Sequence, residues 1–119
     1  MRKLKIEIYN LLKTVCDDVF SEDATDSAKF PYLVYNLSQA VRTENQILFN
    51  LDVDIWDKNI SSSRVETLFD DLRKLDKTNI LNSDLQCTVR FDRYIDASEG
   101  NKELKRKTVM FILRYMERS

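Results

Sequence analysis

A strict alternation of side chains over residues 47–55 constrains the fold more than any other feature of the chain. A period of two is typical of a β-strand with one face on a core and the other face turned away from it. We therefore predict a strand over residues 46–57. The apolar positions on one side of this strand are Ile47, Phe49, Leu51, Val53 and Ile55, and they alternate with Leu48, Asn50, Asp52, Asp54 and Trp56.

Composition indicates a single globular domain spanning residues 1–119. A chain of 119 residues falls in the commonest size range for one domain. Hydrophobic residues make up 43% of the chain, which suffices for one core, and charged residues of both signs make up 33%. The net charge of −1 gives no sign of the basic surface that nucleic-acid binders carry. We therefore expect no sequence-specific nucleic-acid partner.

The chain lacks residues that several classes of functional site require. The chain has no histidine, the side chain best suited to proton transfer near neutral pH, and only one glycine, which disfavours a phosphate-binding loop. Cys16 and Cys87 are far apart and are predicted to be buried free thiols. The longest apolar run, residues 109–113, is far shorter than the ~20 residues that span a bilayer. We expect no catalytic residue, cofactor, metal or membrane partner, and we read no signal peptide.

The remaining elements follow from helical or alternating spacing of apolar residues and from breaks between them. Ser63 with Glu66 forms a capping-box signature at the start of a second helix. These patterns predict an α+β domain of order α-β-β-α-β-β: a four-stranded, mainly antiparallel sheet with two helices on one face. The other predicted segments are a helix over 3–20, a strand over 32–38, a connection over 40–45, a helix from 63 to about 74–77, a turn region over 79–84, and strands over 85–92 and 106–116.

The last predicted strand is apolar on both faces, although two helices cover only one face of such a sheet. Apolar residues are therefore left on the uncovered face, and a contiguous apolar patch marks an interface. The alternative is simple packing beneath a loop. The residues left on that face are Leu48, Trp56, Met110, Ile112 and Met116. Charged residues on the same strands could pair between copies and are included in the candidate interface. Asp52 and Asp54 could also pair with the basic segment 102–107 of another copy. The full candidate interface comprises Asp52, Asp54, Trp56, Arg90, Met110, Ile112, Arg114 and Met116.

Asp52 and Asp54 project from the same side of one strand and admit two interpretations. Paired carboxylates can bind a divalent cation or act as general acid and base, which would suit a small metal-dependent nuclease. Alternating aspartates also keep the outer face of a strand in water and limit edge pairing. Trp56 also admits several interpretations, because it can anchor an interface, stack a nucleic-acid base or cover the end of the core.

Two segments resemble the tail-completion, or tail-terminator, proteins of long-tailed bacteriophages, especially those of Gram-positive hosts. The first segment is Phe-Pro-Tyr-Leu-Val-Tyr at 30–35, and the second is Leu-Asp-Val-Asp-Ile-Trp-Asp at 51–57. A capped helix with Val65, Leu68 and Leu72 follows, and then a closing strand over 107–115. The resemblance extends over roughly residues 4–117.

This resemblance implies a structural virion protein without enzymatic activity. Such proteins form a ring, commonly hexameric, that caps the tail tube, stops its elongation and presents the head-tail joining surface. The implied partners are further copies of the chain, the major tail-tube protein and a head-tail connector or neck protein, while DNA passes through the ring without being read. The implied location is the virion, at the tail end, after synthesis in the host bacterial cytoplasm. The alternatives are the nuclease and another neck or minor-capsid component.

Overall fold

The computed structural model describes residues 2–25, 28–59, 61–96 and 104–117. They form two helices and one six-stranded sheet of mixed direction, with strand order β1-β2-β3-β6-β5-β4. The elements are α1 (Arg2–Lys13), β1 (Val19–Ser21), β2 (Tyr32–Arg42), β3 (Ile47–Lys58), α2 (Ser63–Arg73), β4 (Asn79–Leu81), β5 (Leu85–Asp96) and β6 (Leu104–Glu117).

Both helices pack on the same face of the sheet and enclose one hydrophobic core. Helix α1 contributes Leu4, Ile8 and Leu12, which lie four residues apart and therefore share one side of the helix. Helix α2 contributes a similar stripe that includes Leu68 and Leu72. The alternating residues 49, 51, 53 and 55 of β3 are all buried beneath the helices, as the period of two predicts. Neither described helix has the length and apolar content needed to cross a bilayer.

The predicted fold class was wrong in the size and type of the sheet. The molecule is mostly β, with a curled, six-stranded mixed sheet that resembles half of a barrel, and not a four-stranded antiparallel sheet. The four long strands are antiparallel to one another, but the additional strand β1 pairs with β2 in parallel. The additional strand β4 borders β5 at the opposite edge.

Both additional strands lie where the sequence pattern was misinterpreted. The helix predicted to reach residue 20 ends at Lys13, and Val19 pairs with Leu33 in the sheet. The region 79–84, predicted as a turn, contains the three-residue strand β4. The predicted capping box is also absent, because Ser63 is the first helical residue and the cap position, Ser62, makes no side-chain cap hydrogen bond.

The described elements repeat one order in the two halves of the chain, although the sequence shows no repeat. Each half runs from a helix to a three-residue strand and then to two long strands, and the strand order of the sheet is symmetric about the β3-β6 pair. Each half also has a bulge in its first long strand, between Gln39 and Val41 in β2 and between Phe91 and Arg93 in β5. The symmetry is broken by β1, which is parallel to its neighbour, whereas β4 is antiparallel.

Candidate functional site

The sheet face opposite the helices, here called the open face, carries all eight residues of the candidate interface. The register places Asp52 beside Met110, and Ile112 beside Arg90. Strands β3, β6 and β5 are adjacent, so these residues form one continuous surface. The full set is Asp52, Asp54 and Trp56 on β3, Met110, Ile112, Arg114 and Met116 on β6, and Arg90 on β5.

The apolar part of this surface is a narrow stripe along β6. Met110 is half-buried and Ile112 is 38% exposed. The cross-strand neighbours of Ile112 are Asn50 and Arg90, and those of Met110 are Asp52 and Arg93. Charged and amide side chains therefore flank the apolar stripe on both sides, and this part of the open face is mixed in polarity.

One end of the open face holds an aromatic cluster, here defined as Phe20, Phe30, Tyr32 and Trp56. The ring centroid of Tyr32 lies 5.8 Å from that of Phe20 and 5.2 Å from that of Phe30. Trp56 lies opposite Tyr32 in the register, and the Arg106 guanidinium lies 5.1 Å from the Trp56 ring centroid. Trp56 therefore lies on the open face and does not cover the end of the core.

Sequence reasoning missed this cluster because it placed Phe20 in a helix and treated Tyr32 as ordinary sheet packing. Val34, next along the open face from Tyr32, is buried although it lies outside the main core cluster. A signal was present in the alternation of Tyr32 and Val34 with Leu33 and Tyr35, which assigns the first pair to the face away from the helices.

The carboxylates of Asp52 and Asp54 have different environments. The hydroxyl of Thr108 donates a 2.5 Å hydrogen bond to Asp54, and Arg106 Nη2 lies 3.3 Å from Asp54 Oδ2. Burial raises the pKa of Asp52, and the neighbouring Asp54 charge raises it further, while Arg93 opposes the shift. Within the part of the chain that the structure describes, no three or more acidic or cysteine side chains are grouped so that they could hold a metal ion.

Some charged groups predicted to pair between copies instead pair within the chain. Asp54 pairs with Arg106, and Arg90 Nε lies 3.6 Å from Asp76 Oδ1. Of the basic segment 102–107, residues 102 and 103 lie outside the described residues. Lys107 is buried on the helix-covered side, where its Nζ lies 2.9 Å from Glu66 Oε1 and 4.4 Å from the Phe69 ring centroid.

An ion pair between a buried carboxylate and an exposed arginine connects the start of α2 to the end of β3, and sequence reasoning missed it. Asp57 is fully buried, and its carboxylate accepts bonds from Arg64 Nη2 at 2.6 Å and Arg64 Nε at 3.0 Å. This bidentate geometry is the strong form of an arginine-carboxylate pair. The sequence did contain a signal, because Asp57 continues the core-facing series 49-51-53-55 of β3. A carboxylate on the buried side of the strand requires a cationic partner.

Comparisons with known proteins identify a shared fold. No protein-family model and no curated protein sequence matches the chain. The structure is similar to a chain from the virion of a native gene transfer agent particle, with a TM-score of 0.68, 10% identity, and coverage of 90% of this chain and 84% of that chain. A second solved chain gives a TM-score of 0.61 at 14% identity, covering 92% of this chain and 86% of its own.

Proposed function

We propose that this protein is a structural component of a bacteriophage virion that caps the tail tube as a ring, stops tube elongation and forms the head-tail joining surface. The observation that carries the proposal is the fold shared, over 90% of the chain, with a chain of a gene transfer agent virion. The resemblance of residues 30–35 and 51–57 to tail-terminator proteins supports the same role independently of the fold.

The partners in this proposal are other copies of the chain, the major tail-tube protein and a neck protein. The protein acts by position and contact, with no catalytic step and no reading of DNA sequence. The open face is one contact surface of the assembled particle, because it presents Trp56 and the stripe along β6 beside charged side chains. Aromatic and apolar anchors surrounded by polar groups are the usual composition of a specific interface.

Deletion of the gene from its phage tests the role. We expect particles with overlong tails, or tails not joined to heads, because nothing would stop tube growth or complete the joint. Wild-type protein supplied in trans should restore normal length. Met110→Asp should fail to restore it while remaining folded, because a charge in the apolar stripe would be desolvated on contact.

The matched control is Ile6→Asp, which places the same charge on an exposed residue of α1, on the side of the sheet opposite the open face. This variant should complement normally. Tails of normal length, joined to heads, in the deletion strain would overturn the proposed function. Tails of normal length on particles with defective heads would instead indicate a neck or minor-capsid component.

A further inference from the structure

Strand β2 has an outer edge that its short neighbour covers only in part. In the sheet, β2 lies between β3 and β1, and its pairing with β1 extends only over residues 33–35. The carbonyl of Tyr35 also accepts a hydrogen bond from the N–H of Glu22, and beyond this point no described residue forms a backbone bond to the outer edge. Residues 38–42 are all exposed. We call the uncovered stretch 36–42 the β2 outer edge.

Two residues of the β2 outer edge direct their backbone groups away from the sheet. The N–H of Leu33 and the carbonyl of Tyr35 bond outward, to the segment around β1. The alternation of groups along a strand therefore also turns the N–H and carbonyl of Leu37 and Gln39 outward. The bulge that follows Gln39 ends this regular stretch. The edge thus offers two donors and two acceptors, at positions 37 and 39.

The side chains of this edge do not oppose pairing with another strand. Natural edge strands are commonly protected by charged side chains or by proline. Residues 36–41, with the sequence Asn-Leu-Ser-Gln-Ala-Val, include neither, and Val41 is 51% exposed. The bulge limits the length that can pair, but it leaves the regular stretch before it open. Such an edge is a template for a second strand.

We propose that the β2 outer edges of two copies pair in antiparallel orientation about a two-fold axis at Ser38, and so join the two sheets. The outward positions are self-complementary under this symmetry. Leu37 of each copy lies opposite Gln39 of the other copy, so every outward N–H meets an outward carbonyl. Ser38 then faces Ser38 of the other copy at a position without backbone bonds. In such a contact the same surface is used by both molecules.

Charges beyond the paired stretch favour a second copy as the occupant of the edge. Glu22 and Asp23 follow the end of β1, next to the position where the β2 outer edge begins. The two-fold axis brings Arg42 of the other copy to this end. The strand bends at the bulge before Arg42, which lets it pass outside β1. All three side chains are exposed, and none takes part in the ion pairs found among the described residues.

This dimer goes beyond the proposed function and does not depend on it. A two-fold contact closes on itself, whereas a single ring requires contacts between different surfaces. The dimer is therefore a form of the free protein, in which each copy protects the β2 outer edge of the other from unregulated pairing.

Disulfide trapping of single-cysteine substitutions tests the register. Ser38→Cys and Asn36→Cys proteins, each also carrying Cys16→Ala, are mildly oxidised separately. The remaining cysteine, Cys87, is fully buried, and burial raises its pKa to about 12, so its thiol stays unreactive. Position 36 is the matched control, because it is exposed on the same strand and the same face as position 38.

We expect Ser38→Cys to form a covalent dimer and Asn36→Cys to remain monomeric. In the proposed register the two copies of residue 36 lie four residues apart along the strands, about 13 Å, which is too far for a disulfide. Equal yields of dimer from the two variants, or a Ser38→Cys protein that stays monomeric, would overturn the inference.

Sedimentation of the purified protein over a range of concentrations tests the dimer without a cross-link. Gln39→Pro removes an outward N–H from each copy, and Arg42→Glu places like charges together. Each variant should remain folded by circular dichroism and be monomeric at concentrations where the wild type is a dimer. Adding Glu22→Arg and Asp23→Arg to Arg42→Glu should restore the dimer. A wild type that is monomeric throughout, or a dimer unaffected by Gln39→Pro, would contradict pairing of the β2 outer edges.

Discussion

At the residue scale, adjacent side chains on one strand have opposite roles. Phe111 is 1% exposed at the centre of the core, and the next residue, Ile112, lies on the open face. Alternation along β6 therefore assigns one residue to folding and its neighbour to a surface. Both assignments follow from the sequence period alone, and the structure confirms them.

Alanine substitutions at these two positions should show that Phe111 contributes strongly to stability and that Ile112 contributes little. Phe111→Ala should lower the free energy of unfolding by about 3–5 kcal/mol, because it removes a buried ring and leaves a cavity. Ile112→Ala is the matched control and should cost less than about 1 kcal/mol, since its side chain is already partly in water. Chemical denaturation of the purified variants measures both. Equal losses in the free energy of unfolding would show that the side chains of β6 do not face the two sides of the sheet as described.

The raised pKa of Asp52 predicts that the stability of the folded protein depends on pH. Burial and the neighbouring Asp54 raise its pKa in the folded protein, so the native state binds this proton more readily than the unfolded chain. Stability from this group is then present at low pH and is lost as pH rises through the raised pKa. Asp52→Asn should therefore raise Tm at pH 7 and leave it nearly unchanged at pH 3.

Asp54→Asn is the control for this pH effect. It weakens the pairing with Arg106 and the bond from Thr108, so it should give no gain in Tm at pH 7. Thermal unfolding followed by circular dichroism at both pH values measures the difference. A lower Tm for Asp52→Asn at pH 7 would contradict the assigned sign.

At the scale of elements, periodicity predicted the long strands and failed for the short ones. Four strands and two helices follow from spacing, because each buries a stripe that the sequence displays. Strands β1 and β4 have three residues each, too few to show a period. Val19 also continues the helical spacing of α1, so its pairing with Leu33 depends on tertiary contacts that no local pattern reveals.

Proline substitutions at neighbouring positions of β2 should distinguish the edge that pairs with β3 from the opposite edge. The N–H of Gln39 points outward, so Gln39→Pro should leave the β2–β3 ladder intact and keep the monomer folded. Ser38→Pro removes an N–H directed to β3 and should destabilise the fold strongly. Chemical denaturation of the two purified variants measures the difference. Equal losses in the free energy of unfolding would show that the N–H groups of residues 38 and 39 do not point in opposite directions.

At the scale of the whole molecule, the sequence predicted one domain with both helices on one face, and it identified the residues of the other face. It did not predict strand order, and the order β3-β6-β5 makes the eight open-face residues continuous. It also gave no sign of the repeated element order, since the two halves share architecture without sharing residues.

Imaging of purified tail tubes mixed with the purified protein tests the central claim most directly. Electron microscopy should show added density at one end of each tube, with rotational symmetry about the tube axis, and tubes so capped should no longer elongate when tube subunits are supplied. Protein that stays free, or that binds along the length of the tube while elongation continues, would contradict a ring that terminates the tail.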